Sequence, residues 1–128
     1  MPINIYENTI VRVEVEASEV PWLKVLTQRE HKEFSECSTQ EKSAIFEALD
    51  VIEKEMLAYY QPTKINIASF GNYMPIVHWH IMARFENDSY FPEPMWGTKQ
   101  REGTLKLPSF ETFYSRVARV LTERLEHL

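Results

Sequence analysis

The chain has 128 residues, a size that suits one hydrophobic core, and we expect a single domain over residues 1–128. Nineteen acidic against 14 basic side chains give a formal net charge of −5, which argues against binding to a nucleic-acid backbone. The one cysteine, Cys37, excludes an intrachain disulfide and favours a reducing compartment. No apolar run is long enough to span a membrane and no signal peptide is evident, so we expect a cytoplasmic protein.

The first half of the chain predicts two strands and a helix. Residues 8–16 alternate apolar and polar side chains, as a half-buried strand does, and residues 22–26 form a second short strand. The short connection between them predicts an antiparallel hairpin. Ser38 or Thr39 can cap a helix whose apolar residues recur every three or four positions, and Pro62 ends it.

The second half predicts two more strands, a long connection and a final helix. Residues 64–70 alternate as a strand, and the Gly71-Asn72 turn leads into the next strand. Residues 86–108 have little periodicity but several aromatic side chains, which argue against disorder. Ser109 caps a helix with one apolar stripe. These elements predict an α+β fold, with an antiparallel sheet of about five strands and two helices on one face.

The strand after the turn carries two of the four histidines. Side chains of a strand alternate between the two faces of its sheet. One face of this strand is apolar, including Trp79, and we expect it to pack on the helices. The other face is expected to be open and to hold the chemistry; its residues are Ile76, His78, His80, Met82 and Arg84.

Two imidazoles on one strand face allow four interpretations. They can be structural, bind a metal, act as a general acid or base, or attack phosphorus as a nucleophile. A catalytic zinc needs a third protein ligand, and the candidates are His31, Glu16 and acids of the long connection. No second motif points to any of them, so these residues alone leave the choice open.

The segment 66–84 as a whole resembles the signature of the histidine triad (HIT) family. An Asn stands upstream, a Gly-containing turn follows, and then come alternating histidines. Residues 21–29 are similar to the first block of the family, and residues 91–97 are similar to the Pro/Trp segment of a bacterial HIT-like subgroup. The resemblance covers roughly residues 5–100.

This resemblance implies a nucleotide hydrolase or nucleotidyl transferase that works as a homodimer. Such a protein acts on the α-phosphate of a nucleoside phosphoramidate or a dinucleoside polyphosphate through a nucleotidyl-histidine intermediate. It implies no metal and no cofactor. The middle histidine of the pattern, His78, is then the nucleophile, and His80 hydrogen-bonds phosphate oxygens. The residues implied to bind the nucleotide are Asn66, Gly71, Asn72, Arg84 and Glu16.

Ile76 departs from the family pattern, because it stands where the first histidine is expected. A backbone carbonyl at this position would still orient the ring of His78. The missing imidazole removes polarity beside the leaving group. An alternative function is therefore a nucleotide-binding HIT-like protein with weak or no activity.

The remaining aromatic, arginine and histidine side chains are interpreted one by one. Trp22 and Trp79 are expected to be packing residues. Trp96 either stacks on a base, seals a dimer cleft or fills a gap in the core. Arg84 either lies near phosphate or pairs with an acid at the end of its strand. His127 is expected at the surface, near a helix C-terminus.

Overall fold

The computed structural model describes residues 3–126, so the expectation for His127 lies outside the described residues. Five strands form one antiparallel sheet in the order β1-β2-β3-β5-β4. The strands are β1 (Ile3–Glu7), β2 (Val11–Val15), β3 (Trp22–Thr27), β4 (Lys64–Ala68) and β5 (His78–Arg84). The helices are α1 (Thr39–Tyr60) and α2 (Phe110–Leu125), with a short 3₁₀ turn at Phe34–Glu36. The predicted α+β fold with a five-stranded antiparallel sheet and two helices is confirmed.

Strand β1 has no counterpart among the individual elements predicted from the sequence. It lies at the edge of the sheet and pairs only with β2, and its register shifts between Asn4 and Tyr6. A bulge of this kind interrupts the side-chain alternation on which strand prediction depends. Ile3 is 63% exposed, whereas Tyr6 packs into the core. The irregular burial leaves β1 without the regular alternation that predicts a strand.

Both helices begin where capping chemistry places them. The Ser38 hydroxyl accepts the backbone N–H of Glu41 (3.0 Å), and the Glu41 carboxylate accepts the backbone N–H of Ser38 (2.7 Å). This reciprocal pair satisfies two of the free donors at the start of α1. The helix ends at Gln61, which adopts a left-handed conformation (φ 46°) just before Pro62. At the start of α2, the Ser109 hydroxyl accepts the backbone N–H of Thr112.

The core lies between the two helices and one face of the sheet. The apolar stripe of α1 packs on the sheet, and the stripe of α2 packs beside it and reaches β1. The fully buried residues of α2 are Phe113, Val117, Leu121 and Leu125. Trp79 packs edge-to-face against Phe34 and Phe46 at the rim of this core. No helix within residues 3–126 has both the length and the apolar character needed to cross a membrane.

The histidine strand is shorter than predicted, and its far end is covered. Strand β5 begins at His78, so Ile76 belongs to an irregular segment rather than to the strand. The expectation of an open histidine face along the whole strand is therefore corrected. Met82 and Arg84 are each 1% exposed, because the connection over residues 86–108 lies across that end of the sheet.

This connection is held at its root by a buried ion pair. Arg84 donates from Nε (2.9 Å) and Nη2 (3.1 Å) to the carboxylate of Asp88. The same carboxylate accepts the backbone N–H groups of Phe85, Tyr90 and Phe91. Burial alone would raise the pKa of Asp88, but these hydrogen bonds outweigh it and lower the pKa. A long segment without helix or strand is thereby ordered.

Candidate active site

An open cavity of about 550 Å³ lies over the histidine end of the sheet. Its floor is formed by residues of β2, β3 and β5 that point away from the helices. One wall comes from residues 70–74, between β4 and β5, and another from Trp96 in the long connection. Gly71, at the base of the first wall, has φ +76°, a conformation that favours glycine.

The strand register places the floor residues in two rows. The first row runs from Arg12 on β2 through Leu26 on β3 to His78 on β5. The next row runs from Glu14 through Lys24 to His80. Each row therefore ends in a histidine, and the two imidazole rings lie 5.1 Å apart in an edge-to-face arrangement.

His78 is oriented by the backbone of the residue that replaces a histidine. Its Nδ1 atom lies 2.8 Å from the carbonyl oxygen of Ile76. Because a carbonyl oxygen only accepts, Nδ1 must carry the ring proton, and Nε2 keeps its lone pair. The Ile76 carbonyl thus orients the ring as the family resemblance predicts. A neutral imidazole with a free Nε2 is the form that can attack an electrophile.

His80 has the opposite tautomer. The indole N–H of Trp22 donates to Nδ1 of His80 over 2.9 Å, in a buried hydrogen bond. Because the indole N–H only donates, Nδ1 holds a lone pair and the proton is on Nε2. His80 is 8% exposed, and this burial, together with the nearby His78 and Lys24, lowers its pKa to about 4. His80 is therefore a neutral N–H donor at physiological pH.

Trp22 is a residue whose function the sequence analysis did not recognise. It was expected only to pack, but it determines the tautomer of His80 and also contacts Trp96, with ring centroids 5.2 Å apart. The strand register of the structure shows the contact, because Trp22 pairs with Met82, two residues after His80 and on the same face. Trp96 in turn lies 4.9 Å from the His80 ring and 4.8 Å from Phe70.

The floor beyond the histidines carries paired charges. Lys24 Nζ lies 3.3 Å from Glu16 and 3.9 Å from Glu14, and Arg12 Nε lies 3.0 Å from Glu14. Together these residues contribute two cations and two anions to one side of the cavity. The opposite side is apolar and aromatic; its residues are Phe70, Tyr73, Met74 and Trp96.

The structure brings five of the seven predicted site residues into this cavity, namely Glu16, Gly71, Asn72, His78 and His80. Asn66 and Arg84 do not line it. Asn66 Oδ1 accepts a hydrogen bond from Arg84 Nη1 (2.9 Å), and Arg84 is otherwise committed to Asp88. A nucleotide contact of either residue stays a prediction; the Arg84 guanidinium is buried against the long connection, whereas Asn66 is partly exposed.

A family model of the HIT domain matches residues 5–87. The chain belongs to the HIT domain family. The matched segment contains both histidines and the charged floor of the cavity, whereas Trp96 lies beyond its end.

Solved structures of bacterial histidine triad proteins share this HIT fold. One from Bradyrhizobium japonicum is 24% identical, with a TM-score of 0.76, and the match covers 92% of this chain and 89% of that chain. One from Sinorhizobium meliloti is 26% identical, with a TM-score of 0.69 and coverages of 99% and 90%. One from Marinobacter aquaeolei is 23% identical, with a TM-score of 0.71 and coverages of 99% and 90%. A search of curated proteins finds no match.

Potential metal ligands of this HIT domain cluster away from the histidine pair. Within residues 3–126, the one group of three ligand types is His31, Cys37 and Glu41 at the start of α1, with ligand atoms within 4.8 Å of one another. Burial would raise the pKa of Glu41, but hydrogen bonds from Arg29, the Ser38 backbone and His31 hold it at about 2. That carboxylate is already fully engaged. His31, one of the candidate third ligands in the sequence, therefore lies away from the histidine pair.

The low pKa of His80 predicts a specific dependence of stability on pH. The folded state holds His80 near pKa 4, below its ordinary value of 6.5, so between these values the unfolded chain binds a proton that the folded chain does not. The stability of the folded state with a neutral His80 is fully present above pH 6.5, and part of it is lost as the pH falls from 6.5 towards 4. We expect urea denaturation to show His80→Gln losing less stability than the wild type over this interval, by on the order of 2 kcal/mol. Parallel pH profiles for the two proteins would contradict a buried, neutral His80.

Proposed function

We propose that this HIT domain is a nucleotide hydrolase or nucleotidyl transferase in which Nε2 of His78 attacks the α-phosphorus of a nucleotide. The observation that carries the proposal is the pair of opposite tautomers. His78 presents a lone pair and His80 presents an N–H donor from the same strand, with ring centroids 5.1 Å apart. A nucleophile beside a hydrogen-bond donor is the arrangement that phosphoryl transfer uses.

The first step forms a bond between Nε2 of His78 and phosphorus while the bond to the leaving group breaks. The imidazole becomes positively charged, and its Nδ1–H remains bound to the Ile76 carbonyl, which stabilises that charge. His80 donates its Nε2–H to a phosphate oxygen on which negative charge increases. A water molecule then attacks phosphorus, the N–P electron pair returns to Nε2, and one proton of the water is released to solvent.

The cavity has the size and composition of a small-molecule site. Its volume of about 550 Å³ lies within the usual range for such pockets. In the proposal, Glu16 accepts hydrogen bonds from ribose hydroxyls, and Gly71 and Asn72 contact the phosphates. All three line the cavity beside the histidines. The proposal does not assign a direct contact to Asn66 or Arg84.

A nucleotide-binding protein without turnover is the second candidate, and Ile76 is the observation that favours it. The aliphatic side chain supplies no imidazole at this position of the family pattern. The two candidates differ in one assay. The purified chain is incubated with a dinucleoside polyphosphate, and nucleoside monophosphate is measured by chromatography alongside thermal stabilisation by the same nucleotide. Stabilisation with product supports the hydrolase, and stabilisation without product supports the binding protein.

We also propose an oligomeric state, a cellular location and a class of ligand for this chain. We propose one HIT-like domain over the chain, working as a cytoplasmic homodimer on a nucleotide-type small molecule, without nucleic acid, membrane or cofactor. The support is the family resemblance for the dimer and the acidic net charge of −5 for the exclusion of nucleic acid. Light scattering on the purified chain tests the dimer directly, since a single monomer mass at micromolar concentration would contradict it.

A further inference from the structure

Resting on the proposed function, we infer that this site selects substrates by their leaving group. It cleaves α-phosphorus anhydrides in preference to phosphoramidates. The leaving group of an anhydride departs as a phosphate or carboxylate anion, whereas that of a phosphoramidate is an amine. The two bond types differ in whether the leaving group must receive a proton from the site. A phosphate or carboxylate leaves with the electron pair on oxygen and needs no proton. An amine nitrogen must receive a proton as its bond to phosphorus breaks, and this requires a general acid.

His80 is not such an acid. Its Nδ1 accepts the indole N–H of Trp22 at 2.9 Å, and protonation there would bring two N–H groups face to face. Trp22, like His80, is buried, so the clash could not be relieved by solvent. The ring therefore stays neutral, in keeping with its pKa of about 4. A neutral imidazole N–H donates a hydrogen bond but does not surrender its proton to an amine.

The two other positions of the family pattern do not supply a proton either. The Nδ1–H of His78 is directed at the Ile76 carbonyl (2.8 Å), and its Nε2 is the atom that bonds to phosphorus. Ile76 has a hydrocarbon side chain. The strand thus offers a nucleophile and a neutral donor, and the imidazole that could carry a second proton is replaced.

The remaining titratable groups that line the cavity, within the part of the chain that the structure describes, are paired with an opposite charge or fully exposed to solvent. The Lys24 ammonium is paired with Glu16 and Glu14, and the Arg12 guanidinium is paired with Glu14. A guanidinium does not release its proton near neutral pH. The Tyr73 side chain is fully exposed to solvent. These contacts leave the reacting phosphorus without a proton donor of suitable acidity.

The test compares two substrates that share the nucleoside and the α-phosphate and differ only in the leaving group. One is a dinucleoside polyphosphate and the other is the nucleoside 5′-phosphoramidate of a primary amine. A general acid typically contributes 10²–10⁴-fold, so we expect kcat/KM for the anhydride to exceed that for the phosphoramidate by about 100-fold or more. Similar values for the two, or a preference for the phosphoramidate, would overturn the inference while leaving the proposed function intact. Turnover of neither substrate would remove the proposed function and the inference with it.

A series of nucleoside 5′-aryl phosphates separates leaving-group chemistry from leaving-group binding. The phenols are matched in size and differ in acidity through their ring substituents. Without an acid at the site, kcat/KM is expected to fall steeply as the phenol becomes less acidic. A flat dependence would mean that the site protonates the leaving group, which contradicts the inference.

The pair of variants His80→Gln and His80→Ala tests the role assigned to His80. The glutamine amide places a neutral N–H close to the position of Nε2, whereas alanine removes the donor. We expect His80→Gln to stay within about tenfold of wild-type kcat on the anhydride and His80→Ala to lose about 10²–10³-fold, the usual effect of removing one such donor. Equal losses in both variants, together with loss of a pH-dependent limb from the rate profile, would identify His80 as a general acid instead.

Discussion

Replacing His78 by alanine is expected to lower the rate of nucleoside monophosphate release by on the order of 10⁴-fold or more, the scale seen when a nucleophile is removed. The reason is that Nε2 of His78 is the atom assigned to attack phosphorus, with its tautomer determined by the Ile76 carbonyl. Single-turnover assays with a dinucleoside polyphosphate, read by chromatography, measure the loss. His31→Ala is the matched control, because that side chain lies outside the cavity, in the loop before α1, where it contacts Glu41; this variant should keep wild-type turnover.

The same variant should still bind its nucleotide. The charged floor and the aromatic wall of the cavity are unchanged by the substitution, so the Kd measured by calorimetry is expected to stay within about tenfold of the wild type. Loss of binding together with turnover would indicate a collapsed cavity rather than a missing nucleophile. Full turnover by His78→Ala would remove His78 from the mechanism.

Replacing Asp88 by asparagine is expected to produce the largest loss of stability, about 3–5 kcal/mol, because it leaves the guanidinium of Arg84 buried without its counter-ion. Asn keeps the size of the side chain, but both oxygens of Asp88 accept N–H groups, so the amide NH2 of Asn also meets a donor and the change removes an acceptor together with the charge. Urea denaturation measures the free energy of unfolding. Glu102→Gln is the matched control in the same connection, because the Lys99–Glu102 pair is exposed and should contribute less than about 1 kcal/mol.

An equal, small effect of both substitutions would show that Arg84 is not stabilised by Asp88. The outcome also bears on the site. The connection that Arg84 and Asp88 hold at its root carries Trp96, whose ring lies 4.9 Å from that of His80. We therefore expect Asp88→Asn to lower activity as well as stability.

Local chemistry explains what could be predicted of the fold. The bounds of α1 follow from a hydroxyl that caps its first turn and from Pro62 after its last, and those of α2 follow from Ser109 and one apolar stripe. These signals act over a few residues and do not depend on distant partners. The alternation in β2, β4 and β5 likewise identified three strands of the sheet.

Elements that depend on distant partners were not predictable in the same way. The start of β5 is determined by pairing, because the pair Leu26 with His78 is the last one between β3 and β5. Ile76 and Val77 therefore lie outside the sheet, although the sequence predicts them within the strand. Alternation also placed Arg84 on the histidine face, but the connection over residues 86–108 covers the Arg84 end of β5. Only the folded structure shows this cover.

The candidate site likewise has features that local sequence predicts and features that depend on distant partners. The spacing of two between His78 and His80 was enough to place both imidazoles on one face, and the structure agrees. The tautomer of His78 follows from the backbone carbonyl that the resemblance predicts at Ile76, but that of His80 was not accessible, because it depends on Trp22, 58 residues away in sequence. Ile76 illustrates the difference: its side chain breaks the family pattern, whereas its backbone retains the contact that orients the nucleophile.

The central claim is that His78 becomes covalently attached to the nucleotide, and trapping that intermediate tests it most directly. The chain is mixed with a stoichiometric amount of dinucleoside polyphosphate, quenched in alkali, which preserves N–P bonds, and analysed by intact mass and peptide mapping. The account predicts one nucleotidyl group on His78, formed before monophosphate is released and absent from His78→Ala. Monophosphate release with no adduct at any time point, or an adduct on His80 instead, would contradict it.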